Sequence, residues 1–394
     1  MSNKQLRIGI FGGTFNPPHN GHVHAAKAAS DHLRLDKLMV VPAGMPPHKN
    51  LPEATATAED RLHMACEAFS GIDAALIWSG EVFEPLPSYT IDTVKKISGI
   101  YPGAAMYLLV GTDMYLTLEV WKDSADLMNH VTPVVFARET GDLAPINRYS
   151  EQLQAKFNVK TEIVSAKPLT ISSSQIRDML PKRHGVGYMA DTNYSYIIEH
   201  KLYGAKPNWD WLRDKARGML KPARIPHTDG CEAVAKHLAG RWGADIEQAC
   251  EAAILHDITK SNTVEENIEI LEEHGCPAPE TDRSAEKLLH AITGALVAKA
   301  KFGASEAVAD AIRWHTTGKP DMSILEKVIY LADYIEPTRS FDGVEMLREL
   351  AYQDIDKAVA AGLELSIKEI EAKGLRVDPM TTTALEFILG RTIQ

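Results

Sequence analysis

LRIGIFGGTFNPPHNGH, residues 6–22, decides how the first half of the chain is read. Its opening residues are apolar and β-branched and read as a short buried strand. Gly12 and Gly13 follow, where backbone must come close to a ligand. A helix then starts near Asn20–Gly21, so its free N–H groups and positive dipole end face the same space. His19 and His22 straddle that start, and both imidazoles can point at a bound polyphosphate. A neutral histidine donates one hydrogen bond and an imidazolium two, so the pair can stabilise charge growing on a pentavalent phosphorus.

Outward from this stretch, LMVVPA (38–43), ALIWS (75–79), MYLLVG (106–111), TPVVFA (132–137) and VKTEIV (159–164) read as further buried strands. HVHAAKAASDHL (22–33), AEDRLHMACEAF (58–69) and TIDTVKKI (90–97) carry helical spacing between them. That alternation predicts an α/β domain with a mostly parallel, Rossmann-like sheet. After KLYGAKPNWDW (201–211) the strand signals cease, and CEAVAKHLAGRW (231–242), IEQACEAAILHDI (246–258) and LEKVIYLADYI (325–335) predict an all-α unit. The linker is placed near Gly204–Pro207, giving domains 1–204 and 205–394.

Composition agrees with two units. The 394 residues carry a formal net charge of -11. Residues 1–205 hold 19 Lys+Arg against 21 Asp+Glu, a net of -2, and residues 206–394 hold 23 against 32, a net of -9. Neither nucleic acid nor an anionic membrane suits such a surface, which leaves room only for a local basic pocket. The four cysteines form no CxxC pair, so a disulfide framework or thiolate zinc site is not expected and a reducing compartment fits. With no signal-peptide pattern and no apolar run near the ~20 residues of a membrane span, a cytoplasmic location is expected. Self-association is left open.

Far along the chain, ISSSQIR (171–177) opens a second helix at Ser172–Ser174, with Arg177 one turn in, able to fork onto phosphate oxygens. Two helix N-termini, two histidines and an arginine around one crevice make a nucleoside triphosphate site. At these residues the chain resembles the HxGH nucleotidyltransferases and, more narrowly, bacterial nicotinate-nucleotide adenylyltransferases. PPHK (46–49), PSYTIDT (87–93), GTDM (111–114) and Trp121 extend the resemblance over about residues 6–203. Cytidylyltransferases and phosphopantetheine adenylyltransferases fit these motifs less well. The resemblance implies AMP transfer from ATP, with Mg²⁺, to nicotinate mononucleotide, giving deamido-NAD and pyrophosphate. It implies His19, His22 and Arg177 as catalytic residues. Gly12, Gly13, Thr14, Phe15, Lys49, Gly111, Asp113, Ile171, Ser172 and Ser174 would hold ATP. Ser88, Tyr89, Thr90, Trp121 and Arg138 would hold the mononucleotide, Trp121 stacking on its pyridine ring. Lys122 departs from the aromatic residue usual after this Trp, which bears on nicotinate over nicotinamide.

In the second half, RIPHTDG (224–230), AILHDITK (253–260), LLHAITG (288–294), RWHTTG (313–318) and YLADYIEPTR (330–339) carry histidine or aspartate on apolar stretches. An ionised carboxylate buried there needs a partner, and a metal ion supplies one. Imidazole and carboxylate without thiolate point to Fe, Mn or Zn. His237 and His274, on polar stretches, read as ordinary surface residues. The pattern resembles the HD-domain phosphohydrolases over about residues 220–375, most closely the YqeK-type diadenosine tetraphosphate hydrolases. That resemblance implies His227, His256, Asp257 and Asp333 on one metal, with His290 and His315 completing a second site or touching phosphate. Lys260, Thr316 and Arg339 are implied phosphate contacts, and water activated by one or two divalent metals would cleave the substrate symmetrically to two ADP. Spacing alone gives a metal-dependent phosphohydrolase; alarmone hydrolysis, or nucleotide sensing without turnover, stays open.

Overall fold

The computed structural model describes residues 5–45, 55–84, 87–137, 143–165, 171–277 and 288–390. The chain divides into two compact units, Met1–Lys206 and Pro207–Gln394.

The first unit runs β1 (Arg7–Gly13), α1 (Asn20–Leu33), β2 (Lys37–Pro42), α2 (Ala58–Phe69), β3 (Ala75–Ile77), α3 (Thr90–Ile100), β4 (Ala105–Gly111), α4 (Thr112–Tyr115), α5 (Ser124–His130), β5 (Thr132–Ala137), α6 (Leu143–Phe157), β6 (Glu162–Ser165), α7 (Ser173–Met179) and α8 (Asp191–Glu199). The six strands make one sheet, ordered β3-β2-β1-β4-β5-β6, parallel at every pairing. Both faces are buried, which explains why the strands read as continuous apolar runs. Ile8, Ile10, Met39, Leu108 and Val135 pack with α3, α5 and α6 through Ile91, Leu127 and Ile146. Phe11, Val40, Leu109 and Phe136, one residue out of phase, pack with α1 and α2 through Ala26, Ala29, Ala65 and Phe69. β1 feeds β2 and β3 on one side, and the chain then crosses to β4 on the other. The order therefore reverses between β1 and β4, and such an edge opens a crevice at the strands' carboxyl ends.

The turn after β1 lies at that crevice. Phe15 sits there at φ 48°, in the left-handed region, and its buried ring packs edge-on against Phe11 and Phe69 at 5.7 and 5.4 Å. A Cβ on Gly13 would lie 2.9 Å from that ring, whereas one on Gly12 would meet nothing within 4 Å. Gly13 makes room for Phe15; Gly12 leaves the backbone open.

The second unit holds α9 (Trp209–Met219), α10 (Ile225–Trp242), α11 (Ile246–Leu255), α12 (Val264–Glu273), α13 (Leu289–Phe302), α14 (Glu306–Arg313), α15 (Ile324–Ile335), α16 (Val344–Gln353), α17 (Ile355–Ala372) and α18 (Pro379–Ile388), with no strand among its described residues. Polar caps punctuate them: Asp245, Thr263, Ser305, Ser323, Asp354 and Asp378 each accept a first-turn N–H. The helix predicted over 246–258 ends earlier, at Leu255. His256 closes it by bonding Nδ1 to the Ala253 carbonyl, and Asp257 follows in a tight turn. The helix predicted from Cys231 starts earlier, at Ile225, with Pro226 in its first turn where no N–H is needed.

Gly13→Ala is expected to destabilise the first unit by about 1–3 kcal/mol through overpacking against Phe15, and Gly12→Ala much less. Thermal melting of the two variants checks this.

Candidate active sites

At the start of α1, His19 is the N-cap and accepts the Gly21 N–H on Nδ1 at 3.1 Å. His22 Nδ1 accepts the His19 N–H at 3.2 Å. Two histidines thus make the reciprocal cap usually built from Ser and Glu. With both Nδ1 atoms accepting, the neutral rings carry their proton on Nε2. The rings lie 3.7 Å apart between centroids.

The distant ISSSQIR segment meets this turn directly. Ser172 caps α7 in a reciprocal box with Gln175. Ser173 Oγ donates to the Pro17 carbonyl at 2.8 Å, and Arg177 donates to the Asn16 carbonyl at 2.6 Å and to Ser174 Oγ at 3.1 Å. The structure therefore brings Thr14, Phe15, His19, His22, Ser172, Ser174 and Arg177 together, with Ile171 half-buried just before the cap. Gly111 ends β4, the neighbour of β1, and Asp113 is exposed in the first turn of α4. A second group gathers around Trp121. Lys122 Nζ lies 4.2 Å from the Tyr89 ring and 3.2 Å from Asp92, joining WK to the PSYTIDT segment. Ser88 Oγ is buried with no hydrogen-bond partner, and Thr90 opens α3. Lys49 and Arg138 lie outside the described residues.

Three supporting residues were not among the expected site residues. Arg61, 1% exposed, donates to the carbonyls of Thr14 at 2.9 Å, Gly44 at 2.7 Å and Ala43, pinning the turns after β1 and β2. Burial lowers its pKa. Tyr203 donates to Asn16 Oδ1 at 2.7 Å, and burial pushes its phenol up. Arg61 left a trace in the sequence, a charge on the same helical face as Met64, Ala65 and Phe69; Asn16 and Tyr203 left none.

In the second unit four histidines converge on Asp257. His290 and His315 Nε2 lie 3.2 and 3.7 Å from Asp257 Oδ1, and His256 Nε2 lies 3.4 Å from Oδ2. His227 Nε2 is 3.0 Å from Asp333 Oδ1 and 3.2 Å from His256 Nε2. The opposite ring nitrogens are tied back: His256 Nδ1 to Ala253 O at 2.7 Å, His315 Nδ1 to Ile312 O at 2.6 Å, His227 Nδ1 to Glu336 Oε1 at 3.0 Å. Carbonyl and carboxylate can only accept, so in their neutral form these rings carry the proton on Nδ1 and turn an Nε2 lone pair inward. Asp257 Oδ1, fully buried, receives no hydrogen bond of ordinary geometry. Inward lone pairs around an orphaned carboxylate oxygen fit a divalent cation.

Glu336, 0% exposed, orients His227 and is itself held by Thr338. Cys231, one turn after His227, places Sγ 3.5 Å from His227 Nε2, so the cysteines are not all remote from the cluster. Three cations border it: Arg224 on Asp257 at 2.7 Å, Arg339 on Asp333 at 2.5 Å, and Lys260 Nζ 2.8 Å from His290 Nε2. Thr316 Oγ1 is buried without a partner.

Burial would raise the Asp257 and Asp333 carboxyls, but facing histidines, and Arg339 for Asp333, hold both well below the usual range. Burial lowers His290 to about 4 and also lowers His315, whereas Asp257 and Asp333 outweigh burial at His256 and raise it. Burial pushes the Cys231 thiol well up, as do Asp333 and Glu336.

Residues 10–179 match the cytidylyltransferase-like family model, and residues 224–338 match the HD domain. A probable nicotinate-nucleotide adenylyltransferase of Pseudomonas putida is 33% identical over 51% of this chain and 92% of its own length. The chain belongs to the nicotinate-nucleotide adenylyltransferase family. This adenylyltransferase also carries an HD domain, an arrangement shared with a relative in Mycoplasma genitalium. That relative, a probable nicotinate-nucleotide adenylyltransferase/Ap4A hydrolase, is 28% identical over 89% of this chain and 95% of its own. A crystal structure of an HD-superfamily hydrolase involved in NAD metabolism from Clostridium acetobutylicum is 36% identical, covering 48% of this chain and all of the other at a TM-score of 0.46.

His290 contributes to the pH dependence of stability in the metal-free protein. Its folded pKa is depressed from 6.5 to about 4, so the unfolded state takes the proton first. The stability it contributes is complete above pH 6.5 and declines down to about pH 4. His315 acts in the same sense and His256 in the opposite one. Melting chelated protein across this range, with His290→Asn giving a shallower decline, checks the sign.

Proposed function

We propose that the first half transfers AMP from ATP to nicotinate mononucleotide, giving deamido-NAD and pyrophosphate, and that the second half hydrolyses diadenosine tetraphosphate symmetrically to two ADP. For the transferase, the supporting observation is the junction of α1 and α7, where two Nε2–H donors, Arg177 and two capped helix starts share one crevice. The mononucleotide phosphate oxygen attacks the α-phosphorus in line, and the bond to the β-phosphate oxygen breaks as pyrophosphate leaves. No protein nucleophile is needed. His19 and His22 donate Nε2–H to phosphate oxygens as charge grows on them, Ser174 and Arg177 hold the β/γ end with Lys49, and the remainder is positioning. Mg²⁺ bound with ATP would balance the polyphosphate charge. Gly12, Gly13, Thr14, Phe15, Gly111, Asp113, Ile171 and Ser172 form the ATP side; Ser88, Tyr89, Thr90, Trp121 and Arg138 form the mononucleotide side. Lys122, already on Tyr89, brings a positive charge that suits the acid form of the pyridine.

For the hydrolase, the convergence of four imidazoles on Asp257 carries the reading. His227, His256, Asp257 and Asp333, with His290 and His315, would hold one or two divalent ions of the Fe, Mn or Zn class, iron first. When bound, such an ion supplies Lewis acidity and an activated water at neutral pH. Lys260 and Arg339 would take the phosphate oxygens, and Thr316 Oγ1 has a donor to spare. The four free thiols belong with a reducing, cytoplasmic setting.

His19→Ala is expected to lower pyrophosphate release from ATP and nicotinate mononucleotide by about 10²–10³-fold, leaving tetraphosphate hydrolysis intact. His256→Ala with Asp257→Ala is expected to abolish ADP formation and leave the transferase unchanged. Preference for nicotinamide mononucleotide, or AMP plus ATP as hydrolysis products, would overturn the respective assignment.

A further inference from the structure

Resting on the reading of the first half as an adenylyltransferase, we propose that Arg61 is a positioning residue for the polyphosphate. It acts through the peptide unit that joins Thr14 to Phe15. Arg61 lies on α2, 1% exposed, outside every segment expected to touch substrate.

Its guanidinium plane grips two turns at once. One terminal nitrogen donates to Thr14 O at 2.9 Å and to Ala43 O, and the other to Gly44 O at 2.7 Å. A peptide is planar and trans, so a carbonyl held on one side turns the next residue's N–H to the other. Holding Thr14 O therefore points the Phe15 N–H away from the guanidinium. That N–H donates to nothing among the described residues. The next two carbonyls, of Asn16 and Pro17, are taken by Arg177 and Ser173. The turn thus spends its carbonyls on protein and keeps the Phe15 amide as a preset donor for an anion.

Charge is the second observation. Arginine stays protonated in proteins, and no carboxylate among the described residues lies within ion-pair distance of Arg61. Asp60, beside it on α2, is occupied by the Thr57 N–H at 2.8 Å and the Tyr196 hydroxyl at 2.9 Å. Tyr203 is a phenol that burial holds neutral. Three carbonyl dipoles solvate the guanidinium without cancelling its charge, and its Nε has no partner. A buried cation left so is costly. Its field crosses one peptide unit of protein rather than water, where a charge acts more strongly. A polyphosphate on the far side of that peptide supplies the missing negative charge, with the Phe15 N–H between the two.

Steady-state kinetics of full-length Arg61→Gln and Arg61→Lys, followed by pyrophosphate release, test this. In Arg61→Gln kcat is expected to fall about 10–100-fold, less than on losing a donor that touches phosphate. KM for ATP rises, while KM for nicotinate mononucleotide stays unchanged. Arg61→Lys keeps the charge but not the fork, and is expected to fall between wild type and Arg61→Gln. A lower melting temperature with kcat and both KM values unchanged, or an equal rise in both KM values, makes Arg61 merely structural. Either result overturns the proposal and leaves the adenylyltransferase reading standing. Wild-type protein that releases no pyrophosphate overturns both. Should the variants fail to fold, nuclear magnetic resonance of the wild type decides. Thr14–Phe15 is the only Thr–Phe pair in the sequence, so ¹³C-carbonyl threonine with ¹⁵N-phenylalanine singles out the Phe15 amide. Its proton is expected to move downfield on adding Mg·ATP, and a resonance that does not move overturns the proposal.

Discussion

What each half can do depends on what the backbone and neighbouring side chains do with Nδ1 of its histidines. In the first half, His19 and His22 receive main-chain N–H groups on Nδ1, so the neutral rings present Nε2–H. In the second, His227, His256 and His315 give their Nδ1–H away to Glu336 and to two carbonyls, and present Nε2 lone pairs. The same side chain thus turns an N–H outward in one unit and a lone pair inward in the other. The choice is made by the opposite ring nitrogen, within a few residues of the chain for His19, His22, His256 and His315. His227 alone needs a partner from a distant helix, and Glu336 is buried to provide it.

The sheet was legible because burial on both faces leaves strands as unbroken apolar runs, and all six predicted runs became strands. Element ends were less legible. His256 continues the apolar spacing of α11, but its ring competes for the Ala253 carbonyl and the helix stops one residue earlier. At the sites, motif residues could be named because the local sequence around them is specialised. Tyr203 and Arg61 lie outside those motifs, and Asn16, Glu336 and Arg224, though inside them, were given no role because each acts on an element distant in sequence. Arg61 shows the intermediate case: its place on a buried stripe is visible in α2, yet nothing in the sequence says that its partners are the carbonyls after β1 and β2.

Charge works at two scales in the second unit. Its overall balance, 23 Lys+Arg against 32 Asp+Glu in residues 206–394, repels polyanions at a distance, though salt screens that repulsion beyond about 8–10 Å. Beside the cluster the balance is even, with Arg224, Lys260 and Arg339 set against Asp257, Asp333 and Glu336. A polyphosphate is therefore favoured only once it is within reach of those cations. An acidic exterior discourages nucleic acid.

The arginines also settle how the buried carboxylates survive without metal. Each carboxylate would be costly if unpaired, and each is held by its own guanidinium. The two are not equivalent. Arg224 occupies only Oδ2 of Asp257, leaving Oδ1 free between His290 and His315, so a cation can enter there with the ion pair intact. Asp333 offers the same Oδ1 to His227 and to Arg339, so an ion on that oxygen must share it with a guanidinium or displace it. Asp333 would hold an ion, and Arg339 would take phosphate, only in competition for that one oxygen atom.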